Sequence, residues 1–586
     1  MMETEGNPMN TEVRKTFVES QSLGTVEDTS ECVLQHPGTM MKTSLEERSL
    51  KNPSPSWWLP ILLAIPSLIP LISSLIMARL NGFVATGFVQ YDQPYYMASA
   101  RAYFDQGFHF LFGNPYAGYD TPRLYFQPHL FLLGCFQQLG LDPGITWNIF
   151  GVVGALFVAF VAVHFYCEVV GWHSRAEKLG LLCFFWGGGV LVLVGFVYAC
   201  FVGRFNSLTL LHFDPTLGWW MLNFGRNLVY GPTEAYYHGV FLLCMLFLIR
   251  RRFGVAIAFA VLLSFSHPWT GIECSVIVAA YLLVERLYGD KSVKARYLFA
   301  SIALVFAHLG YYMVFLNRFA DHRALQSQWE ANGSVRLYPS YVFLPALFIV
   351  VSFALVRLIR WPGFRRLVQD PRNRLFMVWF LIVFGITQHY RVMRPIDPIH
   401  FAHGYDWMAL FFLGSPLLVA VLERLLRIEV SWVRILALSV FLLFFLSDNI
   451  GWFATFLRPT TSEAVLETEQ QMEVLRWFGQ NAVPRQMVVT PDLAMGYLVS
   501  TYSRVRSWAG YGASTPHYAQ RCLEAKQAFE NGVILPAWQT LDVLYVRRIK
   551  DYPLWTPPAT SREVFHNDWY EIWECPPTRS VLEAQH

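Results

Sequence analysis

Apolar runs recur between residues 58 and 456, separated by short polar stretches. A span of lipid takes about 20 mostly apolar residues. The runs predict helices over 58–79, 146–170, 179–201, 236–248, 253–266, 271–284, 297–315, 341–356, 375–387, 407–422 and 435–456. The shorter ones must extend into their flanks to cross. The pattern is that of a mainly α, polytopic membrane protein with about eleven transmembrane helices.

Both ends of the chain depart from this pattern. Residues 1–56 are polar, rich in Ser, Thr and Glu, and without helical or strand period, so they are expected to be a disordered cytoplasmic tail. The first apolar run begins only near Trp57 and lacks a small-residue cleavage site, so the first helix is read as an uncleaved anchor. Residues 57–458 form the expected transmembrane domain, with a long first external loop over 81–128. From 459 to 586 the pattern is that of a small soluble α/β domain. EVLRWFGQNA reads as a helix, while QMVVT, LDVLYVRR and WYEIWEC read as strands.

Basic residues orient the spans, because cytoplasmic loops carry the excess of Lys and Arg. With the N-terminus inside, the cytoplasmic loops collect Arg175 and Lys178, Arg250 to Arg252, and Arg286, Lys291, Lys294 and Arg296. Arg357, Arg360, Arg365, Arg366, Arg372 and Arg374 follow, then Arg424, Arg427 and Arg434. The C-terminal domain then lies outside. Composition agrees with a membrane protein: 54% of residues are hydrophobic and 15% charged, against roughly 45–50% and about 25% in soluble domains. The net charge of +3 and the lack of a basic tract argue against nucleic acid as a partner. Nine Cys show no CxxC or Cys/His ligand spacing, which argues against structural zinc. Cys522 and Cys575 share the polar C-terminal part, where an extracytoplasmic position would allow a disulfide.

The candidate chemistry gathers in the external loops. The first contains GFVATGFVQYDQPYYMASARAYFDQG, in which Tyr96, Ala100, Tyr103 and Phe104 fall at helical spacing. This predicts an amphipathic helix along the membrane interface, with Pro94 in its first turn. Asp92, just before it, reads either as a helix cap or as a general base taking a proton from an acceptor hydroxyl. The rings of Tyr91, Tyr95 and Tyr96 are candidates for acceptor or sugar contact. In QHYRVMRPIDPIHFAHGYDW, Arg391, Arg394, His389, His400 and His403 form a cluster suited to phosphate oxygens, weighed against simple interfacial anchoring. SFSHPWTGIE breaks a helix at Pro268 and adds His267 to the phosphate set; Glu273 beside it needs the interface or a partner. LLHFDPTLGWWMLNFGRNLVYGPTEAYYHG offers Asp214, Arg226, Glu234 and His238 for acceptor contact. Its carboxylates could support a divalent cation, Mg or Mn, whose ligands stay unassigned.

A long first external loop with an acid soon after the first span, many spans and a C-terminal extracytoplasmic domain together resemble the GT-C superfamily of integral membrane glycosyltransferases. VLRWFGQNAVPRQMVVTPDLAMGYLVSTYSRVRSWAGYG, followed by LDVLYVRR and WYEIWEC, is similar to the soluble domains of bacterial members. The resemblance implies a polyprenyl-phosphate sugar donor, a lipid, glycan or protein acceptor, membrane lipids as surroundings, a bacterial inner-membrane location and Asp92 as base. Two features depart from it. Several branches carry an acidic pair in the first loop, whereas Asp92 is followed by Gln93, leaving Asp105 and Asp120 as the other loop acids. GWWMLNFG has the pair Trp219 and Trp220 without the Asp that follows in oligosaccharyltransferases, which favours transfer of a single sugar over transfer of a whole glycan to Asn. The alternatives are a transporter or lipid-linked-sugar handling protein without catalysis, or an inactive GT-C-like scaffold. Transporters commonly show internal repeats and a polar midplane path, while here polar residues gather on one face.

Overall fold

The computed structural model describes residues 55–119, 121–213, 224–289, 293–332, 368–393, 398–456 and 465–577. Each apolar run within these residues is helical; the run over 341–356 lies outside them. Among the described residues six helices are long and apolar enough to cross a membrane: Trp58–Asn81, Pro143–Val169, Pro232–Ile249, Ala295–Arg318, Tyr405–Leu426 and Ser431–Thr455. Arg175–Trp186 and Leu191–Val202 add a seventh if the bent pair is taken as one span. Phe253–Ser266, Pro268–Tyr288 and Pro371–Thr387 are the other long helices of this region. Several helices begin at a proline, among them Pro128, Pro143, Pro232, Pro268 and Pro371. There the missing N–H costs nothing, since the first turn has no intrahelical acceptor for it. Pro232–Ile249 runs through the core, burying Tyr237, Phe241, Leu242 and Met245. It packs against Pro143–Val169 so closely that a Cβ on Gly239 would come within 2.4 Å of the Phe157 ring.

The run over 179–201, expected as one helix, is two helices bent by 62°. Gly187, Gly188 and Gly189 open the chain there, and Gly189 has a φ of 104° that favours glycine. A break in lipid is tolerated only where its backbone groups find partners. Ser431–Thr455 supplies them. Ser447 Oγ donates to the Gly189 carbonyl (2.6 Å), Asn449 Nδ2 donates to the Trp186 carbonyl (2.8 Å), and Asp448 Oδ1 accepts from Val192 N (2.7 Å).

The C-terminal region is a mixed five-stranded sheet with helices. Its strands are β3 (Gln486–Val489), β4 (Arg506–Ser507), β5 (Asp542–Arg548), β6 (Arg562–His566) and β7 (Tyr570–Cys575), in the order β4-β3-β5-β7-β6. β3 runs parallel to both β4 and β5, and the remaining pairs are antiparallel. A separate ribbon pairs β1 (Val84–Ala85) of the first loop with β2 (Leu466–Glu467). One hydrophobic cluster joins Leu475, Phe478, Val488, Leu498, Leu544 and Ile572 to Ala98 and Tyr116 of that loop.

The helix of the first loop, Gln93–Arg101, is therefore an internal element, which corrects the expectation of an interfacial helix. In Gln93–Arg101, Met97, Ala98, Ser99 and Ala100 are wholly buried. Thr501 Oγ1 donates to the Pro94 carbonyl (3.0 Å), and Arg101 Nε donates to the Ser500 carbonyl (3.0 Å), so the C-terminal helix Leu493–Tyr502 grips one side. On another side, a Cβ on Gly134 of Pro128–Gln138 would meet the Ala100 carbonyl oxygen at 2.3 Å. The disulfide allowed for Cys522 and Cys575 does not form. Both are free thiols on separate elements, Cys522 in the helix Tyr518–Asn531 and Cys575 at the end of β7.

Candidate functional site

Asp92 precedes Gln93–Arg101 with φ −77° and ψ −15°, and its side chain caps no backbone N–H. A capping side chain works from an extended backbone, so the helical angles at Asp92 set aside the cap reading. Its carboxylate instead accepts two hydrogen bonds, Oδ1 from the Tyr511 hydroxyl and Oδ2 from Gln90 Nε2. Asp92 remains half-buried.

The rings beside it form one aromatic cluster. Tyr91 packs on Tyr497 (4.8 Å between centroids) and Tyr511 (5.6 Å), while Tyr95 stacks on Tyr511 (5.2 Å) and Tyr511 on Tyr497 (5.0 Å). The Tyr497 hydroxyl donates to the Tyr91 carbonyl (2.5 Å) and accepts from Tyr95 N (3.0 Å). Tyr91 and Tyr95, expected as sugar contacts, thus pack against the C-terminal region. Burial pushes the hydroxyls of Tyr497 and Tyr511 well above the ordinary phenol range, and the charge of Asp92 adds to this for Tyr511. Tyr96 points the other way in the sequence of contacts: its ring stacks on Trp147 (5.5 Å, 11°). Burial raises its hydroxyl too, followed by the charges of Glu234 and then Asp92, with the Thr233 side chain as hydrogen-bond partner. Tyr96 therefore stands between the acid of the loop and a second polar group.

That second group is built on the first turns of three helices. Glu234 lies one turn into Pro232–Ile249, with His238 one turn below. His403 precedes Tyr405–Leu426, reached through Gly404 at a φ of 75°. His267 is the N-cap of Pro268–Tyr288. Glu234 Oε2 lies 3.2 Å from His403 Nδ1 and 3.8 Å from His238 Nδ1. Both ring nitrogens of His238 face carbonyl oxygens, Nδ1 that of Glu234 at 2.8 Å and Nε2 that of His403 at 2.7 Å. A ring with one N–H can donate to only one of these carbonyls, and the Glu234 carboxylate lies alongside. His238 stacks on Tyr405 (4.4 Å) and His267 on Tyr237 (4.4 Å), while His400 lies 5.1 Å from His403 and 6.1 Å from His267.

The structure divides the other predicted residues. His400 and His267 join Glu234 and His238, whereas His389 Nδ1 donates to the Ile386 carbonyl (2.8 Å) and its ring touches Phe401. Arg391 is exposed, with Nε donating to Gln388 Oε1 (3.3 Å) and its guanidinium over the Tyr390 ring. Arg226, expected to touch the acceptor, is 2% exposed and turned inward. It donates to Asn449 Oδ1 (2.9 Å) and lies over Trp452, bracing the helix break. Asp214 and Arg394, like Asp120, Trp219 and Trp220, lie outside the described residues. Glu273 is fully buried, and neither carboxyl oxygen has a hydrogen-bond partner among the described residues. Among the described residues no three His, Cys, Asp or Glu side chains are placed to hold a metal ion.

Sequence reasoning missed Tyr511 and Gln90, the two donors to Asp92, and the trio Ser447, Asp448 and Asn449. The trio carried a signal, two strongly polar residues inside an otherwise apolar run. Tyr511 carried none, because its partner is 419 residues away.

No family model matches the chain, and no curated protein matches it. Among solved structures it is similar to the oligosaccharyltransferase of Archaeoglobus fulgidus in the apo form, at 11% identity and a TM-score of 0.42, covering 84% of this chain and 70% of that one. It is also similar to ArnT from Cupriavidus metallidurans. The apo state aligns at 12% identity and a TM-score of 0.43 over 89% of this chain and 99% of that one. The form bound to undecaprenyl phosphate aligns at 12% identity and a TM-score of 0.45 over 90% of this chain and all of that one.

Proposed function

We propose that this protein is an integral membrane glycosyltransferase that moves a single sugar from a polyprenyl-phosphate donor to an acceptor hydroxyl on the extracytoplasmic face. One observation carries the reading: Asp92 is released from helix capping, held at both oxygens by neutral donors, and left half-open. A carboxylate so placed is suited to general-base work.

In the proposed step the acceptor oxygen forms a bond to the sugar's anomeric carbon from the face opposite the phosphate. The bond from that carbon to the phosphate oxygen breaks, its electron pair leaves with the lipid phosphate, and the hydroxyl proton passes to Asp92. The outcome is inversion at that carbon. Charge grows on the departing phosphate, and fixed N–H donors aimed at it lower the barrier. The imidazoles of His400, His403 and His267 supply such donors, with the Glu234–His238 pair fixing the geometry of His403. Arg391 stands at the exposed rim for the phosphate of an incoming lipid.

The test incubates purified protein with a panel of polyprenyl-phosphate sugars and follows free polyprenyl phosphate and glycosylated product by mass spectrometry. The wild type is expected to release lipid phosphate from at least one donor. Asp92→Asn is expected to lower turnover by roughly 100-fold or more, in line with the loss of a general base, while thermal stability and donor binding stay near wild type. Full activity in a well-folded Asp92→Asn protein removes Asp92 from the mechanism. Movement of an intact lipid-linked sugar across vesicles without transfer replaces the reading with transport.

A further inference from the structure

The hydroxyl that meets Asp92 comes from a tight strap over residues 509–515. Its turn is closed by Ser514 N (3.0 Å) and Thr515 N (2.7 Å), both donating to the Tyr511 carbonyl. Gly510 N donates to Thr515 Oγ1 (3.3 Å), and a Cβ on Gly510 would come within 2.4 Å of the Tyr116 ring, so the strap is pressed directly onto the first loop. From the far side, Gln328 Nε2 of the helix Ala320–Asn332 donates to the Thr515 carbonyl (3.1 Å). The Tyr511 ring is then fixed by Tyr95 and Tyr497, at 5.2 and 5.0 Å. Backbone and ring are both held, so the hydroxyl has one position available, at Asp92 Oδ1. Burial keeps that phenol protonated and therefore a donor.

We infer that Tyr511 is a positioning residue for Asp92, its hydroxyl pinning Oδ1 so that the carboxylate meets an acceptor hydroxyl in one fixed orientation. The inference rests on the reading of Asp92 as general base and deepens it: the base belongs to the first loop, while its aim is set by the C-terminal region. A reacting group must be held within a fraction of an ångström by side chains that are themselves locked. Gln90 alone leaves the other oxygen free to turn. Among the described residues the neighbouring Tyr497 hydroxyl binds backbone alone, donating to the Tyr91 carbonyl and accepting from Tyr95 N. It has the same chemistry and surroundings without touching the carboxylate, and so serves as the control.

Two readouts on the full-length protein in detergent test the inference. In the first, a water-soluble carbodiimide with glycine ethyl ester labels accessible carboxyl groups, and the Asp92 peptide is quantified by mass spectrometry. Tyr511→Phe, which keeps the ring, is expected to raise labelling of Asp92 several-fold; Tyr497→Phe is expected to leave it within twofold of wild type. This readout needs no substrate, so it decides the contact whichever donor the protein takes. In the second, Tyr511→Phe is expected to lower kcat by roughly 10- to 100-fold, the worth of a hydrogen bond to a charged group, with the donor KM within threefold. In an Asp92→Asn background the same change is expected to cost nothing further. Unchanged labelling overturns the inference, and so does raised labelling with an unchanged kcat. Full activity in Asp92→Asn overturns the underlying reading instead, and is recognised separately because it does not involve Tyr511.

Discussion

At the scale of single residues, the groups proposed to act are those whose ordinary structural duty is absent or already met by something else. Asp92 stands where a cap would stand and caps nothing. Arg226 shows the reverse. An Arg beside an expected cleft is spent inside on Asn449 and Trp452. Glu273 fits neither case, since it is buried and neither oxygen has a hydrogen-bond partner among the described residues. An unmet buried polar group costs on the order of 1–3 kcal/mol, and an apolar side chain of similar size removes that cost. Glu273→Met is therefore expected to raise the thermal midpoint in detergent without lowering sugar transfer. A fall in the midpoint would show that the acid is engaged by a bound molecule in the working protein. Little of this was legible from sequence. The residue types and their segments were, but Glu234 and His403 are 169 positions apart and meet only through the packing of two helices.

At the scale of elements, the apolar runs were legible because lipid and a close-packed bundle impose the same composition on whole segments. Their ends and interruptions were not. GGG inside the run over 179–201 marked the break, yet the partners that make it tolerable sit in another helix. Asp448 accepts from Val192 N in the first turn of the second half-helix. Asp448→Ala is expected to lower the thermal midpoint by an amount equivalent to roughly 1–3 kcal/mol, whereas substitution of the exposed Phe201 at the far end of that half-helix is expected to leave it unchanged. In the C-terminal region the strands QMVVT, LDVLYVRR and WYEIWEC all form. The helix Leu493–Tyr502 is not evident in LAMGYLVSTY because Gly496 and the β-branched Val499 and Thr501 are all weak for helix. Burial against the first loop outweighs that propensity.

At the scale of the whole molecule, the membrane bundle and the sheet share one boundary, and the first loop is its common wall. The proposed orientation rests on the distribution of Lys and Arg. Single cysteines introduced into a functional background lacking reactive thiols would test it. A cysteine at Arg175 is expected to react with a membrane-impermeant maleimide only in opened cells, and one at Leu554, which is 94% exposed, in intact cells. Reaction of both from the same side would invalidate the topology and, with it, the extracytoplasmic site.

The ribbon between β1 and β2 and the hydroxyl of Tyr511 also bear on how the chain matures. The acid emerges from the ribosome 419 residues before the phenol that holds it, and the strand at Val84 waits almost as long for its partner at Glu467. All the spans after Trp58–Asn81 are made in between. Until synthesis is nearly finished, the loop has neither its ribbon nor its clamp, so a stalled or clipped chain can insert its helices and still lack an aimed carboxylate. Completion of the last segment is in effect a licensing step, built into the order of the chain.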